Sequence, residues 1–383
     1  MKTTKIVLIV ILCGIISLLC GFLGYALTHR GQSAFLSISG STVSSTYELV
    51  LEQVLPAEEI TDIQILYDMN SNDVYFYESD DDNITVREYL NFTPGEDDLS
   101  TITQNGSKLT VQGKRRDTFL FIGNTRSGYT EVYLPDATYE ALQVVTVSGD
   151  IFSKKASIVS YDMSVSTTSG DINFPRVEAS DLQLGTTSGD IFLDEVYGAN
   201  IQVSSTSGDI RFASVMTGSE RTSEHTALPD GTEGKLVAST TSGDIKLLGG
   251  SGDYDISSNS GDITLGEMNG SFHLETTSGN ISAIDGIGGG EVNTVSGNIR
   301  ISLSELTENL NAGTTSGEVD LKLPGNASFA FDYSSTSGDC STFFDDALNF
   351  NKKGNQASGN YGDNGDIKVT VSSVSGNLRV TAY

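Results

Sequence analysis

The chain has no tryptophan, three histidines, three cysteines and six prolines among its 383 residues. Cys13 and Cys20 lie in an apolar N-terminal run and Cys340 stands alone beyond it, so no intramolecular disulfide can staple the body of the protein. An exported protein without disulfides is ordinary in a bacterium and less usual in an animal secretory pathway. His29, His225 and His273 are far apart in sequence and have no cysteine pair beside them, which excludes a zinc pattern. Basic residues are also few, 22 against 50 acids, for a net charge of −28. Residues 1–30 hold Lys2, Lys5 and Arg30 and no acid, so the rest of the chain carries −31. Such a body repels phosphate backbones, and no nucleic-acid partner is expected. Solubility is the plain reading of the acidity and cation binding the sharper one.

Charge is missing altogether from Ile6 to Leu27, a 22-residue run long enough to cross a bilayer core of about 30 Å as a helix. Lys2 and Lys5 precede it, which places the N-terminus in the cytoplasm and everything after Thr28 outside. A cleaved signal peptide would have a shorter apolar core and a small-x-small site; Tyr25-Ala26-Leu27-Thr28-His29-Arg30 offers none, and Leu19 before Cys20 disfavours lipoprotein processing. The expectation is a single-pass cell-membrane protein with an extracytoplasmic C-terminal domain.

Glycine is abundant at 41 residues, and its placement decides the fold. Ser-Gly-(Asp/Asn/Glu) recurs in eleven regularly placed copies, with glycines at 149, 170, 189, 208, 243, 261, 279, 297, 317, 338 and 376. The intervals are 18 to 21 residues, except 35 before Gly243 and 38 before Gly376; both exceptions read as single coils carrying insertions. Three residues after each serine stands an apolar residue, as at Ile151, Ile172, Ile191, Ile263 and Val319, and two further on another, as at Phe174, Leu193, Phe212 and Leu265. The residue between them is mixed and often charged, as at Arg211, Lys246 and Arg300. The same alternation precedes the serine, with Val165, Leu184 and Ile256 four residues before it and Met163, Leu182 and Tyr254 six before. Period two marks strands with one buried face.

Each repeat therefore reads as strand, turn, strand, turn in about 19 residues. One unit cannot bury its apolar face alone, whereas stacked units bury a continuous core. An antiparallel sandwich would not put the same residue type in the same column coil after coil. The fold class expected is all-β: a single-chain parallel β-solenoid, two short strands per coil, preceded by one transmembrane helix. Two residues before each serine stands Thr or Ser, from Thr146 to Ser373, an internal hydroxyl ladder bonding turn backbone. The following glycine is read as meeting a need for positive φ, and the Asp or Asn after it as bonding turn amides.

These Thr-Thr-Ser-Gly-Asp-Ile repeats resemble the adhesin-like domain of unknown function of membrane-anchored bacterial envelope proteins, the LiaG-like group. Asp62-Ile63-Gln64-Ile65 resembles its opening strand, Leu109-Thr110-Val111 its middle one, and Val132-Tyr133-Leu134-Pro135 its Leu-Pro segment. The resemblance covers about residues 60–383 and implies an adhesin-like fold, with anchored members associated with envelope stress. It carries no catalytic residues. The organisation read from the sequence is a cytoplasmic stub and anchor at 1–30, a juxtamembrane linker at 31–59, an N-terminal β region at 60–147, and the repeat solenoid at 148–383 with insertions at 217–234 and 343–365.

No Gly-x-Ser-x-Gly elbow, phosphate loop or dinucleotide fingerprint is present, so no catalytic or cofactor-binding residue is expected. A glycosidase would need two carboxyls about 5–10 Å apart in a cleft, which sequence does not show. Calcium is the one cofactor with candidates: Asp80, Asp81 and Asp82 in one cluster, and Asp171, Asp190 and Asp209 in the turn column. Asn280, Asn298 and Asn377 replace Asp in that column, which fits a turn cap better than a calcium ligand. Phe152 and Phe192 fall at outward positions, and Phe343, Phe344, Phe350 and Tyr361 crowd the last insertion, either as a recognition patch or as a fold over the solenoid's open end. The function expected is binding or scaffolding in the envelope, on an unidentified protein or polysaccharide. A calcium-dependent surface adhesin or a polysaccharide-active enzyme is the alternative.

Overall fold

The computed structural model describes residues 43–383 apart from 69–70, 115–125, 219–233 and 364. The expected transmembrane helix lies outside the described residues, among which no helix is long and apolar enough to cross a membrane. Residues 43–383 form one compact unit, and it is built from β-strands.

The first nine strands are β1 (Val43–Pro56), β2 (Asp62–Tyr67), β3 (Asp73–Glu78), β4 (Asn83–Phe92), β5 (Thr101–Asn105), β6 (Lys108–Gln112), β7 (Gly128–Leu134), β8 (Thr138–Thr146) and β9 (Ile151–Ser153). The regular coils supply β10 (Ile158–Ser166), β11 (Ile172–Gly185), β12 (Ile191–Ser204), β13 (Ile210–Thr217), β14 (Lys235–Thr240), β15 (Ile245–Leu247), β16 (Gly250–Ser251), β17 (Asp253–Ser258), β18 (Ile263–Gly266), β19 (Met268–Thr276), β20 (Ile281–Thr294) and β21 (Ile299–Ser316). The last are β22 (Val319–Leu323), β23 (Phe329–Ser335), β24 (Cys340–Thr342), β25 (Leu348–Phe350), β26 (Gln356–Tyr361), β27 (Lys368–Ser375) and β28 (Leu378–Ala382).

In the repeats, equivalent positions pair in parallel from rung to rung: Ile172 with Ile191, Ile191 with Ile210, Ile263 with Ile281. The expected inward columns are buried, with Ile172, Phe174, Leu182 and Leu184 each at most 2% exposed. The second turn of each coil differs from expectation. Single strands such as β11 and β12 run through it without a break, and a third inward position appears there, at Val177, Val196, Val215 and Met268. Sequence alternation loses its phase at that corner, where two outward residues such as Pro175 and Arg176 stand in succession.

The glycines of the Ser-Gly turns do not have positive φ. What they supply is closeness. A Cβ at Gly170, Gly189, Gly208, Gly243, Gly261, Gly279, Gly297 or Gly317 would lie 1.7–2.0 Å from the carbonyl oxygen of the glycine one rung before. The expectation of a left-handed turn is thus corrected to a backbone-on-backbone stack that admits no side chain. Beside it, each column hydroxyl does two jobs. Thr186 Oγ1 donates to Gly170 O (3.1 Å) and accepts from Gly189 N–H (3.1 Å), and the pattern repeats rung after rung. Both buried groups are thereby satisfied.

At each end the stacking order departs from the chain order. β2 and β3 lie between the strands that follow them, β6 and β7 on one side and β8 and β9 on the other. At the far end, β27 and β28 are inserted between β21/β22 and β23/β24. The 38-residue interval before Gly376 is therefore not one coil with an insertion, but a chain that lays down an outer coil and returns to fill the gap beneath it. Column alignment cannot see this, because an intercalated rung presents the same columns as a sequential one. The 35-residue interval does fit one coil with a loop: Thr217 Oγ1 bonds Gly234 O across its base (2.9 Å), and residues 219–233 lie outside the described residues.

The ends are antiparallel. β1 pairs with β4, and β4 with β7; β26 pairs with β23, and β25 with β26. β1 corrects the expected linker at 31–59, since residues 43–56 are an edge strand of the body. Its apolar residues fall on both parities, so no period-two signal reveals it. The insertion at 343–365 covers the far end. Phe344 is 4% exposed and its ring lies 5.1–5.4 Å from those of Phe329, Phe331 and Tyr361, closing the core with aromatic contacts while Phe350 stays outside.

Candidate functional site

The outer face of β1, β4, β7, β3 and β9 carries a concentration of tyrosines. Strand alternation turns Tyr89, Tyr129, Tyr133, Tyr75 and Tyr77 outward while Ile84, Val86, Val132, Val74 and Phe76 enter the core. Tyr129 is the hub: its ring stacks on Tyr89 at 4.6 Å and meets Tyr47 and Tyr75 edge-on at 5.2 and 5.7 Å. Tyr77 stacks on Tyr133 at 5.1 Å, and Tyr75 on Phe152 at 5.9 Å. Arg87 lies 4.8 Å over Tyr133, and Lys154 5.0 Å over Tyr77. Such ring pairs and cation contacts stabilise an exposed sheet, and they also present a broad, ordered aromatic surface.

Charges on this face are paired internally. Arg87 Nε donates to Glu52 Oε1 (2.8 Å), Tyr133 Oη to Glu131 Oε2 (3.0 Å) and Lys154 Nζ to Tyr77 Oη (3.0 Å). Burial, aided by Asp73, pushes the Tyr75 phenol up to about 12; burial, aided by Glu131, does the same to Tyr89. Both phenols thus stay neutral, and each is engaged by a neighbouring carboxylate, Tyr75 by Asp73 and Tyr89 by Glu131. The face continues along the rungs from Phe152 through Asn173 and Phe192 to Arg211. There Asn173, Phe192, Asp194 and Arg211 line a depression of about 270 Å³. A second depression, about 290 Å³ on the opposite ladder, is lined by Gln64, Gln143, Asp162, Ser164 and Gln183. Its members are ordinary outward residues of regular columns, with no aromatic ring.

The calcium candidates are not brought together. Asp171, Asp190 and Asp209 occupy successive rungs, and one oxygen of each accepts the next rung's amide: Asp190 N–H to Asp171 Oδ1 (2.8 Å), Asp209 N–H to Asp190 Oδ1 (2.8 Å) and Asp244 N–H to Asp209 Oδ1 (2.8 Å). Asn280 takes the same place, its Oδ1 accepting Asn298 N–H (3.0 Å). Asp80, Asp81 and Asp82 lie exposed between β3 and β4, where Asp81 Oδ1 accepts the Asn83 N–H (2.9 Å) and the Ser79 hydroxyl (3.2 Å). Among the described residues no three acids, histidines or cysteines are grouped to hold a metal. Glu88, buried to 1%, accepts from Ser100 N–H, Ser100 Oγ and Asn72 Nδ2, and so closes the first end of the core with a satisfied polar cluster.

Phe152 and Phe192 stand outward as the sequence predicts. The tyrosines around them escaped sequence reading, although Tyr75-Phe76-Tyr77 and Tyr129/Tyr133 carry a period-two signal of their own. They precede the Ser-Gly copies and so belong to no repeat column.

No curated protein matches the chain. Among solved structures, a protein described as a candidate adhesin from Parabacteroides distasonis ATCC 8503 is 13% identical, with 73% of this chain and 99% of that chain covered and a TM-score of 0.40. One so described from Parabacteroides merdae ATCC 43184 is also 13% identical, with 72% and 92% covered and a TM-score of 0.35. These overlays are loose, and the family assignment does not rest on them. A family profile described as Toastrack DUF4097 matches residues 60–270 and 252–381, spanning nearly all of the repeats and the N-terminal strands. The chain belongs to the Toastrack DUF4097 family.

Proposed function

We propose that the body is a binding module of the bacterial cell envelope, held at the membrane by residues 6–27, which presents its tyrosine-rich face to an extended polysaccharide and acts without turnover. The observation that carries this reading is the aromatic row running across the rungs from Tyr75 through Phe152 to Phe192. Phe152 and Phe192 stand two rungs apart, about 9.6 Å, close to the length of a disaccharide unit in an extended β-linked chain. Rings and amides are groups that recognise sugars, whereas internally paired charges on a body of net −31 disfavour a polyanion.

The test is affinity electrophoresis of the body through gels containing envelope polysaccharide, with Tyr75→Ala/Phe192→Ala beside the parent protein. The parent is retarded, and the double variant migrates freely while its far-UV circular dichroism at the assay temperature matches the parent's. Equal migration of both proteins overturns the polysaccharide reading. Release of new reducing ends by the pure protein overturns the absence of turnover.

A further inference from the structure

The row of outward side chains that includes Phe152, Asn173 and Phe192 does not stop at its last ring. It runs on to Arg211 and then to Lys246, register partners on successive strands, and both side chains are exposed. Beyond them the row is neutral, with Thr264 and Ser282. A ring, two cations and two hydroxyls thus follow one another at about 4.8 Å per rung.

Like charges side by side on neighbouring strands repel and cost stability, and acids that could relieve them are plentiful on this body. Other outward cations use them. Arg176 pairs with Glu195 (3.5 Å), Lys235 with Asp255 (2.7 Å) and Arg300 with Asp320 (3.9 Å). Among the described residues no other two cations are register partners, and neither Arg211 nor Lys246 has an ion pair or a side-chain hydrogen bond. Asp194 shares the 270 Å³ depression with Arg211 without pairing to it. The turn carboxylates of the same two rungs are engaged elsewhere, Asp209 Oδ1 by the Asp244 amide and Asp244 Oδ1 by the Asp262 amide, both at 2.8 Å.

We propose that Arg211 and Lys246 form an anion-binding subsite at the end of the aromatic row. The saccharide bound along that row then bears a carboxylate or phosphate one to two sugars beyond the ring of Phe192, at about one sugar per rung. This rests on the polysaccharide reading and adds the ligand's charge to it. The Arg211 guanidinium offers a planar fork to two oxygens and the Lys246 ammonium a point charge beside it, so one anion relieves the repulsion between them. Neutral Asn173 and Thr264 on either side give a second anion no partner, which agrees with a sparsely charged chain rather than a polyanion.

The test uses gels of the same envelope polysaccharide in three forms: untreated, with carboxyl groups reduced to alcohols, and with phosphate groups removed. Each mobility is divided by that in a polysaccharide-free gel, which cancels the charge change of the variants. The parent is expected to bind the untreated form about ten-fold or more tighter than one or both treated forms, and the treatment that weakens it names the group. Arg211→Gln/Lys246→Gln should bind all three forms alike, at the weaker level. Lys352→Gln/Lys353→Gln removes the same charge from two exposed lysines of the end insertion and should behave as the parent does. Three results overturn the subsite: a parent indifferent to both treatments, an Arg211/Lys246 variant that still discriminates between the forms, or an equal loss in the Lys352/Lys353 variant. Free migration of the parent through the untreated gel overturns the polysaccharide reading itself, and the subsite with it.

Discussion

Replacing Gly261 by alanine separates close approach from conformational freedom as the reason for the repeat glycines. The new Cβ would stand 1.7 Å from Gly243 O, where real contacts stay beyond 3.0 Å, so the rungs must part locally by at least about 1.3 Å. Two side-chain bonds span that joint, Ser258 Oγ to Gly243 O (3.2 Å) and Asp262 N–H to Asp244 Oδ1 (2.8 Å), while Ser258 Oγ also accepts from Gly261 N–H within the rung (2.9 Å). At about 1 kcal/mol each, with about 1–3 kcal/mol of overpacking strain in the stacked neighbours, the loss is about 3–5 kcal/mol. Gly106 is the contrasting case, with φ 61 and nothing within 4 Å of its Cβ position; alanine there costs only the left-handed backbone penalty, about 1–2 kcal/mol. Urea denaturation followed by far-UV circular dichroism measures both. A loss at Gly261 no larger than at Gly106 would refute the stacking account.

Ile263 is fully buried, so Ile263→Asp should cost several kcal/mol in the same assay, whereas Lys246→Asp on the outer face should stay within about 0.5 kcal/mol. Burial pushes the Asp73 carboxyl up, with the Asp150 charge adding to it and the bond from the Asp150 amide opposing it. A raised acid pKa destabilises the fold once pH exceeds the carboxylate range, so Asp73→Asn should raise the melting temperature at pH 7, by a margin that shrinks as pH falls towards 4. The reverse trend would show that the bond outweighs burial. Millimolar calcium should leave the melting temperature unchanged, since the turn carboxylates are engaged by backbone amides; a large upward shift would reinstate the ion-dependent adhesin.

The repeat architecture was legible because every column of a stacked rung faces the same neighbours, so Ile172, Ile191 and Ile210 report one environment three times. The hydroxyl ladder was legible for the same reason. Where the environment occurs once, the sequence was silent. β1 pairs with β4 through two register shifts, and an edge strand half open on both faces has no alternation to display. Glycine's role was misread because a turn glycine looks alike in sequence whether it serves φ or contact, and only the carbonyl of another rung tells them apart. The tyrosine face was overlooked since its members lie in strands with no counterpart among the coils. Intercalation at the ends follows from pairing across the chain order, which periodicity does not encode.

That intercalation governs how such a chain can grow. Between Gly149 and Gly297 each rung hands its glycine carbonyl and its turn Asp or Asn side-chain oxygen to the next in sequence, so a duplicated coil meets two neighbours that already fit it. At either end the neighbour in space is not the neighbour in sequence, and an added coil would need its connections rerouted around an occupied slot. Gene duplication can therefore lengthen the protein only from its middle, carrying the tyrosine face and the C-terminal coil farther apart by one rung at a time while leaving both closures untouched.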